Sequence, residues 1–177
     1  MRKFSMKLLK TIILSVALIS LFSCSERLSP KRSDAEQQQV KEQVMKLLKE
    51  EYHQPFKLKE FNYKYDTKYK YGFLYKKGET SGLFKFKIQA INNPIISTDF
   101  YIFDGEKGSI KSLINAFKKN QLNSVYCMGL TNYYRYINNN SLTLKQPYTE
   151  QAEKYCSSIG QERYKLYQNY YLKHHIN

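Results

Sequence analysis

The chain has 177 residues, 42% of them apolar and 15% aromatic. That composition excludes a disordered polymer and fits one domain with short appendages. The formal charge is +14, which implies attraction to anionic partners: acidic lipid, lipopolysaccharide, nucleic acid or an acidic protein.

The core must be unusual, because the chain holds seventeen tyrosines, ten phenylalanines and no tryptophan. A tyrosine ring buries a large area but its hydroxyl needs a partner, which predicts rings at the core boundary.

The first ten residues, MRKFSMKLLK, are basic, and TIILSVALISLF follows as an apolar run. This order reads as a secretory signal, and the run is shorter than the roughly 20 residues a membrane-spanning helix needs. The run ends at Leu21-Phe22-Ser23-Cys24, with an aliphatic residue three places before the cysteine and a small residue one place before it. These residues resemble the lipobox of bacterial lipoproteins, a resemblance confined to residues 1–24. It implies cleavage between Ser23 and Cys24, a diacylglycerol on the Cys24 sulfur and a membrane anchored by lipid. Ser25 resembles the residue that follows the cysteine in cargo sent to the outer membrane, facing the periplasm. An ordinary signal peptide and an uncleaved anchor are the plainer readings. Either Met1 or Met6 serves as the start, since the signal is complete from Met6.

Removing the segment before Cys24 takes away Arg2, Lys3, Lys7 and Lys10, so the charge falls by four from +14 to +10. Residues 24–33 form the lipidated cysteine and a polar tether. The nine residues from Ser25 to Ser33 reach at most about 30 Å. Residues 34–177 read as a single α+β domain.

A helix is expected from Asp34 to Tyr52. Ser33 and Glu36 form a capping box, Val40, Val44, Leu47 and Leu48 follow helical spacing, and Pro55 ends the element.

The period then switches to two. Phe61, Tyr63 and Tyr65 form one alternating run, Tyr69, Tyr71, Phe73 and Tyr75 a second, Phe84, Phe86, Ile88 and Ala90 a third, and TDFYIFD (98–104) a fourth. KKGETSG (76–82) and NNP (92–94) read as turns. Phe56 and Leu58 are out of phase with Phe61, which predicts a bulge at Lys59 and Glu60. The expectation is a meander of about four antiparallel strands with one buried aromatic face and one basic face.

Ser109 caps a helix carrying Ile110, Leu113, Ile114 and Phe117. A less regular stretch over 123–140 is expected to begin helical and end in an asparagine loop. A last helix is expected from Glu150 to Lys173, capped by Thr149. The architecture is thus an N-terminal helix packed on the sheet, followed by C-terminal helices. Its first half is similar in element order to cystatin-like and PepSY-like envelope domains.

Setting Cys24 aside leaves Cys127 and Cys156. In an exported compartment these read as a disulfide, the alternative being two buried thiols.

Lys64, Lys70, Lys85 and Lys87 are the candidate binding face, set against a plain solvated sheet surface. Nucleic acid is not expected, because rings that alternate with lysines point away from them. The tyrosines of the last helix, Tyr155, Tyr164, Tyr167, Tyr170 and Tyr171, read as core packing more than as an interface. His53, His174 and His175 show no metal spacing, and no catalytic motif, metal or cofactor is expected.

The sequence therefore points to a non-enzymatic binding module on the envelope. Its partner would be a protein or an anionic envelope component, and neutralising an exported toxin or enzyme is one such role. A structural lipoprotein of an outer-membrane assembly is the alternative, and a hydrolase the least favoured.

Overall fold

The computed structural model describes residues 31–72, 76–105 and 108–175, excepting the side chains of Lys70, Lys76, Lys77, Glu79 and His175. Ser23 and Cys24 lie outside the described residues. The fold is α+β. Helix α1 (Asp34–Tyr52) precedes strands β1 (Phe56–Tyr71), β2 (Lys76–Ala90) and β3 (Ser97–Asp104), and then come helices α2 (Ile110–Asn120), α3 (Val125–Asn140), α4 (Gln146–Ser158) and α5 (Lys165–His175).

α1 keeps the bounds read from the sequence. The Ser33 hydroxyl accepts from the Glu36 amide, and the Glu36 carboxylate accepts from the Ser33 amide at 2.8 Å. Two orphan amides of the first turn are thus satisfied. Val40, Val44 and Leu48 are fully buried against the sheet. The helix stops at His53, in the left-handed region with φ 50°.

The sheet is a meander in the order β1-β2-β3, with antiparallel neighbours. It has three strands, not four. The runs that begin at Phe61 and Tyr69 belong to one strand as far as Tyr71, because Asp66-Thr67-Lys68 between them contains no breaker and continues in register with Glu79–Ser81, while Phe73 and Tyr75 lie outside the described residues. Residues 76–82 are strand and not turn. Their glycines mislead, since Gly82 serves a packing need: a Cβ there would stand 2.6 Å from the Tyr63 ring. The anticipated bulge is present, as the register slips between Leu58 and Glu60 and leaves Lys59 as the extra residue.

The inner face is a continuous run of rings. Phe61 meets Phe86 at 5.0 Å between centroids, Phe86 stacks on Phe100 at 5.1 Å, and Phe100 stacks on Phe117 of α2 at 5.5 Å. Burying rings of this size at 25 cal/mol per Å² contributes about 3 kcal/mol or more each.

The C-terminal helices extend this core with tyrosines. Tyr134 and Tyr164 are as deeply buried as the phenylalanines, so these rings go beyond the boundary position expected for them. Each buried hydroxyl finds a partner. Tyr52 donates to the Leu122 carbonyl and accepts from the Tyr126 amide. Tyr134 donates to Glu153 and accepts from the Gln168 amide group at 3.2 Å.

Two further readings are corrected. α3 continues in helical geometry through Asn140 to a left-handed cap at Ser141, so the asparagines form no loop. The last helix is two helices. Gly160 at φ 71° interrupts it, and the Gln161 amide returns to the Cys156 carbonyl at 2.8 Å. α4 begins earlier than expected, with Pro147 in its first turn, and Thr149 lies inside it.

Cys127 of α3 and Cys156 of α4 come to disulfide distance, with sulfurs 2.09 Å and Cα atoms 5.7 Å apart. Among the described residues, no helix is long and apolar enough to cross a membrane.

Candidate functional site

Alternation along the strands assigns every second residue to the outer sheet face. Register then stacks these residues into rows: Glu60, Lys87 and Asp99; Asn62, Lys85 and Tyr101; Lys64, Leu83 and Phe103. Three of the four lysines singled out in the sequence, Lys64, Lys85 and Lys87, therefore share one face. Lys70 stands further along β1, opposite Lys77 and beyond the end of β3.

The face is less uniformly basic than alternation suggested. Glu60 accepts from Lys85 at 2.8 Å, and Asp99 stands opposite Lys87. The Lys85 hydrogen bond holds the Glu60 carboxyl below the usual glutamate value, and Glu60 in turn raises Lys85. Both groups stay ionised around neutral pH, and this exposed pair adds little stability.

Two aromatic side chains occupy the β3 side of the face. Phe103 is 64% exposed and Tyr101 49%. They are the strand neighbours of Phe100 and Ile102, which are only 4% and 3% exposed on the inner side. Sequence analysis reads TDFYIFD as the fourth alternating run and does not single out this pair. The available signal was that both phases of the alternation carry apolar residues. Exposed aromatic residues are enriched at protein interfaces, whereas lysines such as these belong to the polar rim rather than to the buried centre.

At the end of β3 the inner face closes with a second constellation that the sequence did not reveal. Arg32 forks onto Asp104, Nε to Oδ2 at 3.0 Å and Nη2 to Oδ1 at 2.9 Å, and also reaches Glu36 at 3.2 Å and the Gly108 carbonyl at 2.5 Å. Tyr63 donates to the same Asp104 carboxylate at 3.0 Å. The Asp104 bond is the main reason the Arg32 guanidinium is held charged well above its ordinary range. Burial, with help from Asp104, pushes the Tyr63 phenol up to about 12. The arrangement is a clamp. It ties the last residues before α1 to the far end of the sheet.

The remaining candidates do not converge on these groups. His53 caps α1 beside Lys46, Lys49 and Glu50. His174 stacks on Tyr170 at 4.1 Å. Among the described residues, no three of histidine, cysteine, aspartate and glutamate gather as metal ligands. The tyrosines expected on one helix divide. Tyr164 and Tyr171 are buried, Tyr170 is 53% exposed, and Tyr155 belongs to α4 and packs against Tyr52 and Tyr126. No family model matches this chain, and comparison with curated proteins and with solved structures finds no match to it.

Proposed function

We propose that this protein is a lipid-anchored envelope module, attached through Cys24, that binds a partner protein on the outer face of its sheet without catalysing a reaction. The observation that carries the binding surface is the exposed pair Tyr101 and Phe103, bordered by Lys64, Lys85 and Lys87 on a face that keeps its strand residues open. The partner chemistry that fits is an apolar patch rimmed by carboxylates. Rim charges would set the association rate, and the aromatic pair would supply the affinity. The anchor reading is supported by the order of basic, apolar and small residues ahead of Cys24.

The test is in-cell photocrosslinking of the full-length chain, with a benzophenone amino acid in place of Tyr101 or, as a control, in place of Leu166 on α5, which is 72% exposed. A discrete product from the Tyr101 position, lost when Lys64, Lys85 and Lys87 are changed to Glu, is the expected result. Equal products from both positions, or none from Tyr101, would remove the outer face from consideration.

A further inference from the structure

The sheet has two edges, and they are built differently. β1 carries the bulge at Lys59 and the exposed lysines Lys57, Lys59, Lys64 and Lys68, devices that keep a strand edge from pairing with another chain. β3 pairs with β2 without a register break and contains neither lysine nor proline. Its two charges are Asp104, which Arg32 neutralises, and Asp99, which enters no ion pair among the described residues.

The hydrogen-bond phase of β3 follows from one bond. In the register that sets Ser97 opposite Gln89, Ile96 stands opposite Ala90, and the Ala90 amide donates to the Ile96 carbonyl at 2.9 Å. Antiparallel pairs alternate, so the even-numbered residues of β3 exchange bonds with β2 and the odd-numbered ones turn their N–H and C=O groups away from it. Among the described residues, the amides of Asp99, Tyr101 and Phe103 meet no acceptor. The side chains of the same three residues are exposed on the outer face, where Tyr101 and Phe103 form the aromatic pair.

Both ends of this edge are closed. Near its start α3 passes so close that a Cβ on Gly129 would stand 3.5 Å from the Ser97 nitrogen, and Asn132 donates to the Thr98 hydroxyl at 3.1 Å. At its far end Arg32 holds Asp104. The open stretch runs from Asp99 to Phe103, about 17 Å at roughly 3.4 Å per residue, which accepts one short extended segment.

We infer that the partner proposed above is recognised by strand addition: an extended segment of it pairs with the Asp99–Phe103 edge, setting a basic residue opposite Asp99 and apolar residues opposite Tyr101 and Phe103. Main-chain bonds align the segment, and cross-strand side-chain pairs select it. A second copy of β3 does not meet this need, because β3 has no cation to stand opposite Asp99. This inference rests on the outer-face reading and names how that face is used.

Asp99→Pro removes an amide that β2 does not use, and proline is tolerated on an edge strand. Asp99→Ala removes the same carboxylate and keeps the amide. Both are made in the full-length chain with the benzophenone amino acid in place of Tyr101, and the urea midpoint of each is read in parallel. The expected result is a crosslinked product weakened in Asp99→Ala and lost in Asp99→Pro, at matching midpoints. The product purified from the Asp99 parent should also show slowed hydrogen exchange in the 97–104 peptide relative to the free protein. Where proline lowers the midpoint, that exchange measurement alone decides. Equal product from the two variants, or no slowing in the peptide, overturns strand addition and leaves the outer-face site standing. A product of twice the chain's mass gives the edge to a second copy and overturns the foreign segment. No product from the Asp99 parent removes the outer-face reading, and the inference falls with it.

Discussion

The two faces of the sheet are built from similar side chains and put to opposite uses. On β3, Phe100 and Ile102 disappear into a stack of rings, while Tyr101 and Phe103, one residue away in each case, stay open beside lysines. β-propensity does not separate the two sets, since all four suit a strand. What separates them is whether a helix covers the face. α1, α2 and α3 cover the inner side, and the outer side is left to charge and to whatever binds there.

The sharpest way to break the comparison is to remove a ring from the covered side. Phe86→Ala deletes a fully buried ring that touches Phe61 and Phe100. It should cost about 3–5 kcal/mol, read as a lowered urea midpoint with unchanged slope. Removing the Cys127–Cys156 bond by a double change to Ser should cost roughly 3–4 kcal/mol on the chain-entropy view. Its effect should be confined to the helical half, which hydrogen exchange would show as lost protection in α3 and α4 first.

Asp104→Ala should cost about 3 kcal/mol, because it leaves Arg32 half buried without its carboxylate. α1 should fray from its N-terminus in that variant. Phe103→Ser on the open side should change stability by less than about 0.5 kcal/mol. Under the proposed function it should still abolish the Tyr101 crosslink.

Titration sharpens the same contrast on the covered side. Burial raises Tyr63 and Tyr155 to about 12 from an ordinary value of 10.0. A group whose pKa is raised by folding contributes stability that is complete below its unfolded value and is lost as pH rises through its folded one. Circular dichroism should therefore hold steady to about pH 10 and fall between pH 10 and 12, together with the appearance of tyrosinate absorbance. A stable signal at pH 12 would contradict the burial of these phenols.

Local chemistry made part of this fold legible. The capping box of α1, the bulge at Lys59 and the helix after Ser109 each leave their signal within a few residues. The turn at 76–82 was misread because glycine there answers to the Tyr63 ring across the sheet, a partner nineteen residues away in sequence. The break at Gly160 was missed because helical spacing of apolar residues continues on both sides of it. The lysines of the outer face were legible because period two sorts residues by face. The aromatic pair beside them was not, since an unbroken apolar run hides which phase is covered. The Arg32 clamp left no signal, because its partners stand 72 and 76 positions further along the chain.

That clamp has a mechanical consequence. A pull on the residues ahead of Arg32 does not arrive first at the backbone hydrogen bonds of α1, which could unzip one turn at a time. It arrives at a guanidinium fork on Asp104, and from there spreads along β3 into β2 across the hydrogen bonds that join them. The domain is thus gripped from its sheet, and a tug that would unwind a helix is shared by several strand bonds at once.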